Sequence, residues 1–327
     1  MAGNNVSNSS PAIRAQVYSE MLLEVLQDGF LPEGLHRDVT DFGDGTTLNV
    51  PTIGEMTIFD LVEEQPTPTS ALDTGNINLT INKHKGVAGF VTDELKEDGY
   101  KAAAVESQIV PQSLRSIKEA FETDLLAQAV STTNSMITLS NPNNVNGFDH
   151  RWIANGTNNT MTIDDIVFAK LSFDKANVPD EGRILIVDPI VEGSLNSITN
   201  IVNVSNNPQF EGLINSGFSR GRKFLKNIMG FDIWVSNRLP RIASESITSN
   251  KAPGASSITS GVNNIAMCVV DDQTTPFMGA MRRMPRVEGD RNVSERRDEF
   301  HVTARWGFAP QRSESLISII TSENNYK

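Results

Sequence analysis

Residues 177–189 read NVPDEGRILIVDP and, further along, residues 230–240 read GFDIWVSNRLP. Each stretch is a short apolar run held between residues that stop or start structure, so residues 184–187 and 233–235 are expected strands. Pro179 cannot continue a helix, and Gly182 allows a tight turn into the first strand. Asp188 followed by Pro189 predicts a new helix: the carboxylate caps free amides, and the proline ring gives up an N–H that the first helical position does not need. A helix-turn-strand-turn-helix unit of this kind serves many folds. Its neighbours along the chain must therefore decide the architecture.

Upstream, residues 1–10 are rich in Asn and Ser with almost nothing to bury, the composition of a mobile arm. Over residues 11–26 the apolar positions Ile13, Val17, Met21 and Val25 recur every four residues, which predicts a short amphipathic helix. Residues 46–90 then change character. Three β-rich pieces, 46–50, 77–81 and 87–91, surround a centre reading EEQPTPTS, and they predict a long hairpin with its tip near residues 63–70. Such a hairpin buries little against its own body, which suits a subunit that reaches over a neighbour better than a monomer. Residues 105–130 carry the longest helical pattern, with Leu114, Ile117, Phe121 and Leu125 on one stripe and charges opposite, and Pro111 is expected to begin or bend it.

Residues 131–160 read as a polar connection that holds Trp152. Thr162, with Asp164 and Asp165 in the first turn, opens a second helix that runs to about Ala176. Residues 201–221 have weak periodicity. The Ser, Thr, Pro and Gly content of residues 244–261 predicts an exposed loop, and three strand-like runs follow at 264–270, 300–306 and 316–320. No internal repeat is visible, and helices and strands do not alternate regularly. The order fits an α+β class.

The 28 Lys and Arg against 40 Asp and Glu in 327 residues give a net charge of −12, which argues against a mainly phosphate-binding surface. A chain this long buries roughly 75% of its unfolded surface and requires neither metal nor disulfide. Cys268 is the only cysteine, and its apolar neighbours predict a buried thiol in a strand. The first residues carry no basic region or apolar run, and no stretch is long and apolar enough for a membrane helix, so synthesis in a reducing cytoplasm is expected.

The four histidines, His36, His84, His150 and His301, are scattered without metal-ligand spacing and are expected at the surface; no catalytic, metal or cofactor-binding residue is assigned. Serine-elbow, phosphate-loop and Cys-x-x-Cys patterns are absent. Arg282, Arg283, Arg286, Arg291, Arg296 and Arg297 interleave with Glu288, Asp290, Glu295, Asp298 and Glu299, which favours ion-pair networks on a mixed-charge strand pair over a nucleic-acid stripe. The sharper expectation is an intersubunit contact in which Arg282, Arg283, Arg286 and Arg291 meet Glu63 and Glu64 of an adjacent copy. As a catalytic pair, Glu63 and Glu64 would point to opposite faces of an extended segment.

In this order the segments resemble the major capsid proteins of tailed bacteriophages, the Hong Kong phage capsid fold that encapsulins share. The resemblance covers roughly residues 11–321. It implies an N-terminal arm over residues 1–45, an extended loop over 46–91, a peripheral domain with a spine helix over 92–161, an axial domain over 162–270 and a return to the peripheral domain over 271–327. It further implies self-assembly into pentamers and hexamers of an icosahedral shell around double-stranded DNA held without sequence-specific binding. A separate scaffolding protein, a portal and a decoration protein are the implied partners, in a virion assembled in the host cytoplasm. Some members join subunits by a Lys to Asn bond; Lys83 and Lys85 lie in the hairpin, but no motif assigns them a partner. An encapsulin-like compartment around a cargo enzyme is the alternative of the same fold, and a soluble acidic hydrolase the alternative of another class.

Overall fold

The computed structural model describes residues 30–325 apart from residues 32–33, 41–44, 55, 68, 70, 72–73, 99–101, 131–142 and 198–223. The expected arm over residues 1–10, the expected helix over 11–26 and the weakly periodic stretch 201–221 lie outside the described residues. In chain order the elements begin with β1 (Arg37–Asp38), β2 (Thr47–Ile53), β3 (Thr74–Thr80), β4 (Lys83–Thr92), α1 (Asp93–Asp98) and α2 (Ala102–Leu126). There follow β5 (Asn144–Val145), β6 (Phe148–Asp149), β7 (Arg151–Ile153), α3 (Ile163–Lys175), β8 (Arg183–Val187), α4 (Pro189–Ser197), β9 (Phe224–Ile228), β10 (Phe231–Val235) and β11 (Arg241–Ile242). The chain closes on β12 (Glu245–Ser249), β13 (Ala252–Ile258), β14 (Gly261–Cys268), β15 (Phe277–Asn292), β16 (Arg297–Pro310) and β17 (Leu316–Ser322).

The quoted segments become the centre of a mixed seven-stranded sheet ordered β7-β17-β14-β8-β10-β9, with β11 pairing β14. Strand β8 lies parallel to β10 and antiparallel to β14. Its side chains alternate as a two-residue period requires. Leu185 and Val187 face Phe173 of α3 and Val191 and Leu195 of α4, while Ile186 faces Leu125, Leu126, Met267 and Phe277. Helices therefore cover both faces, and each fully buried Leu or Ile here is worth about 1.5–3 kcal/mol. Asp188 caps α4 as its sequence predicts, accepting from the Ile190 N–H at 3.0 Å. Gly182 has φ +64, and a Cβ there would lie 2.8 Å from the Val269 carbonyl oxygen, so the turn into β8 needs glycine. Cys268 ends β14 as a buried free thiol, its pKa raised by burial.

The second sheet, ordered β1-β15-β16-β4, has four strands. Helix α2 runs through Pro111 and lays Ile117 and Phe121 against Val302, Ala304 and Trp306. The Trp306 Nε1–H donates to Asp124 at 3.2 Å, and Lys85 pairs with the same carboxylate at 2.7 Å. Strands β2 and β3 form a separate two-stranded ribbon, and residues 54–73 are its loop. The third strand-like run, in β4, leaves this hairpin to pair with β16.

Three expectations are corrected. Residues 244–261 hold the β12–β13 hairpin instead of an exposed loop, because Ile247 and Ile258 join Ile153, Ile242 and Ile320 in a cluster of their own. The polar connection over 131–160 contributes β5, β6 and β7, and Trp152 is buried in the core with its Nε1–H donating to the buried Asp165 carboxylate at 3.2 Å. His150 is buried instead of lying at the surface, its ring edge-on to Phe173, and burial pushes its pKa down.

Asp165 also accepts from the Thr162 N–H at 2.9 Å and hydroxyl at 2.7 Å, and pairs with Lys251 at 3.2 Å. Arg151 makes a bidentate pair with Glu245 at 2.5 and 2.8 Å. Both side chains are almost wholly buried, and desolvation lowers the Arg151 pKa and raises that of Glu245. Charged contacts thus lock the β12–β13 hairpin onto β7 and the start of α3.

Candidate assembly surfaces

The end of β2 and the loop that follows it display apolar side chains to solvent. Ile53 is 72% exposed, Met56 74%, Ile58 94% and Leu61 73%, with Val62 nearby at 66%. A run of this length on one loop marks a surface meant for a partner, since monomeric soluble proteins rarely leave contiguous apolar patches of such size. Sequence reading passed over these residues. Their signal is IGEMTIFDLV at 53–62, six apolar side chains with no alternating partner strand.

Glu63 and Glu64 follow directly, and both are exposed. They are not on an extended segment. The Gln65 N–H donates to the Val62 carbonyl at 3.2 Å, which closes a tight turn, and Glu64 takes a left-handed φ of 62°. The turn ends the apolar run and places two carboxylates beside it.

The arginines occupy β15, whose first residues are buried and whose remainder is exposed. The expected mixed-charge strand pair forms: β15 and β16 run antiparallel from Phe277↔Pro310 to Asn292↔Arg297. Arg283 donates to Thr303 Oγ1 at 3.4 Å, and Arg286 pairs with Glu288 at 3.2 Å. At the far end Arg291 bridges Asp93 of α1 at 2.7 Å and Asp298 at 2.8 Å, while Lys96 reaches Asp298 at 2.5 Å. The Arg291 hydrogen bond holds the Asp93 pKa below the usual carboxylate range, and the Lys96 and Arg291 hydrogen bonds do the same for Asp298. Beside them Glu299 is held down to about 2, first by its hydrogen bond from Arg297 and then by Asn292 and His301. The Arg297 guanidinium stacks 4.6 Å from the Phe90 ring centre.

Arg282 has a different setting. With Met281 and Met284 it lines a cavity of about 900 Å³ between β15 and α2, whose far wall includes Leu114, Ile117 and Phe121. His36 sits in the same cavity, edge-on to Phe121 and Phe308, its pKa lowered by burial against an opposing pull from Asp38 at 2.9 Å. Glu122 also lines it, but its carboxylate is engaged: it accepts from the Leu31 N–H at 3.2 Å, the Ser236 hydroxyl at 3.3 Å and Arg238 at 3.3 Å. Among the described residues no three His, Cys, Asp or Glu side chains cluster in a way that would hold a metal ion.

An exposed apolar loop and a mixed-charge ribbon thus project from a sheet flanked by helices. A family profile described as phage capsid protein matches residues 77–318. The chain belongs to the phage capsid protein family. Solved structures show the same fold at low identity. The capsid of cyanophage P-SCSP1u is 17% identical with a TM-score of 0.69, over 99% of this chain and 96% of that one. A chain from Mycobacterium phage Che8 is 15% identical with a TM-score of 0.64, over 97% and 98%. The capsid of a native GTA particle is 11% identical with a TM-score of 0.62, over 98% and 100%. No curated protein matches the sequence. In this capsid protein the α+β class and the expected order of loop, long helix and sheets are borne out.

Proposed function

We propose that this capsid protein is the repeating wall unit of an icosahedral shell, built from pentamers and hexamers of one chain around packaged double-stranded DNA. The supporting observation is the apolar run at Ile53, Met56, Ile58, Leu61 and Val62, exposed at the loop end of a ribbon whose other end is packed through Leu79 against Met278, Ala280 and Ala309. A two-stranded ribbon is marginal alone. Burial of its loop against a neighbour makes subunit order and assembly one linked process.

In this reading the loop brings Glu63 and Glu64 to β15 of the next copy. There Arg282, Arg283 and Arg286 receive them, and Arg291 stiffens the ribbon from which they project. Exposed arginine pairs contribute orientation more than affinity. Residues 46–91 are then the overlapping extended loop, 92–161 and 271–327 the peripheral domain, 162–270 the axial domain and 1–45 the arm. The acidic chain leaves the DNA unbound by sequence, and a separate scaffolding protein, a portal and a decoration protein complete a particle assembled in the host cytoplasm. Its role is structural, without a catalytic step.

Negative-stain electron microscopy of the purified chain tests the proposal. Closed angular particles, capsomer rings or curved sheets are expected, and a uniform monomer under every assembly condition overturns it. Charge reversal, R282E with R283E, should lower assembly yield, and E63K with E64K should restore it. Unchanged yield in R282E/R283E refutes the pairing.

A further inference from the structure

The register of the four-stranded sheet sets basic side chains next to one another. Arg305 of β16 stands directly opposite Arg283 of β15 on one side and His84 of β4 on the other, and residues so opposed share a face with Cβ atoms about 5 Å apart. Val302, Ala304 and Trp306 pack on α2, so this row belongs to the opposite face. Strand β3 covers the neighbouring Gly307 and Ala309 and leaves the row open: Arg283 and His84 are exposed and Arg305 is half-buried.

Like charges directly opposed destabilise a sheet. Among the described residues the Arg305 and His84 side chains have no hydrogen bond or ion pair, and Arg283 has its 3.4 Å bond to Thr303 Oγ1. Carboxylates on the same face lie further along and are engaged: Glu288 by Arg286 at 3.2 Å, Asp290 by the Arg291 N–H at 2.8 Å and Glu299 by Arg297 at 2.7 Å. The row therefore lacks an anion. Two guanidinium forks supply paired donors of the geometry that oxyanions take. The Thr303 hydroxyl, which accepts from Arg283, still has its own proton to donate. Gly86, opposite Thr303 on β4, leaves the floor between them bare; a Cβ there would lie 3.1 Å from Thr303 Cγ2.

We infer that His84, Arg283, Thr303 and Arg305 form a binding site for a small doubly charged oxyanion, free phosphate, on the unassembled subunit. A nucleic-acid backbone suits it less, because a chain of phosphates running along the strands meets Glu288, Asp290 and Glu299. The site itself goes beyond the shell reading, and one consequence rests on that reading: phosphate competes with Glu63 and Glu64 of a neighbour for Arg283, and so raises the concentration needed for assembly.

The test is the melting temperature of the full-length chain, kept below its assembly threshold, against phosphate with chloride adjusted to constant ionic strength. A saturating rise of roughly 2–4 °C at ten times Kd is expected, whereas general salting-in of the folded state climbs without saturating. R283Q with R305Q should abolish the saturating part and, having removed opposed charges, melt no lower than the parent in chloride; R296Q, outside the row, should keep the full rise. If the double variant does not fold, R305Q alone or T303A makes the same measurement. No saturating rise in the parent, or an equal rise in the folded double variant, overturns the inference, as does stabilisation by a short DNA duplex and not by phosphate. Light scattering reads the competition separately: a saturable site with an unchanged assembly threshold upholds phosphate binding and removes the pairing of Glu63 and Glu64 with Arg283.

Discussion

Replacing Ile58 by Asp separates folding from assembly. Ile58 is 94% exposed, so the substitution removes almost no contact within the subunit, and exposed sites of this kind change stability by roughly 0.5 kcal/mol or less. In the assembly proposed above the same side chain is buried against a neighbour, a burial worth about 1.5–3 kcal/mol for a branched aliphatic side chain. Each ~1.4 kcal/mol is tenfold in an equilibrium constant, so one lost loop contact per subunit raises the concentration needed for assembly roughly ten- to a hundredfold. Burying the new carboxylate adds to that cost. The assay is light scattering against protein concentration, paired with a thermal melt of the unassembled subunit. A melt that stays put while the assembly threshold rises is the expected result. An unchanged threshold would refute the assignment of the loop to an intersubunit contact, and a collapsed melt would show that the loop packs on its own body.

Truncation of Arg151 to Ala strands the buried Glu245 carboxylate and should cost about 3–5 kcal/mol in denaturant unfolding, whereas R151M with E245L should recover much of it. Asp188 to Ala removes the cap on α4 and should lower stability by about 1 kcal/mol. Glu299, held down to about 2, contributes stability that is fully present above its ordinary pKa near 4.5 and is lost as pH falls towards 2. Side-chain carbon NMR of R297Q should show Glu299 titrating nearer 4.5. Gly307 to Ala should destabilise the junction of β3 and β16, because a Cβ there would lie 2.3 Å from the Thr80 carbonyl oxygen; the melting temperature reports it.

What the sequence made legible was set by local chemistry. The Asp188–Pro189 start of α4, the Gly182 turn and the apolar runs of β8, β10, β14 and β17 are each dictated by neighbouring residues, and they came out as read. The β12–β13 hairpin did not, because Ser and Thr fill its outward positions and only Ile247 and Ile258 mark its buried side. His150 was expected at the surface, and the depth of Trp152 was not read, for a related reason. Their burial depends on Asp165, Lys251 and Phe173, partners that are distant in sequence or lie on another element. On the assembly surface, the arginines of β15 and the acids at 63–64 were visible as charge patterns, but the apolar run beside Glu63 was not. An exposed Ile or Leu looks like a core residue until its surroundings are known.

Strands β15 and β16 pair without interruption of direction from the buried Phe277 to the exposed Asn292, yet their register slips twice, between Met281 and Arg283 and between Arg283 and Arg286. Bulges relax the pleat and increase local twist. Mechanically the ribbon is therefore a cantilever with a compliant joint near its root and a tip cross-braced by Arg291, Asp93 and Asp298. In the proposed shell, a bend at this joint lets identical chains meet at slightly different angles while the ion pairs at the tip stay made.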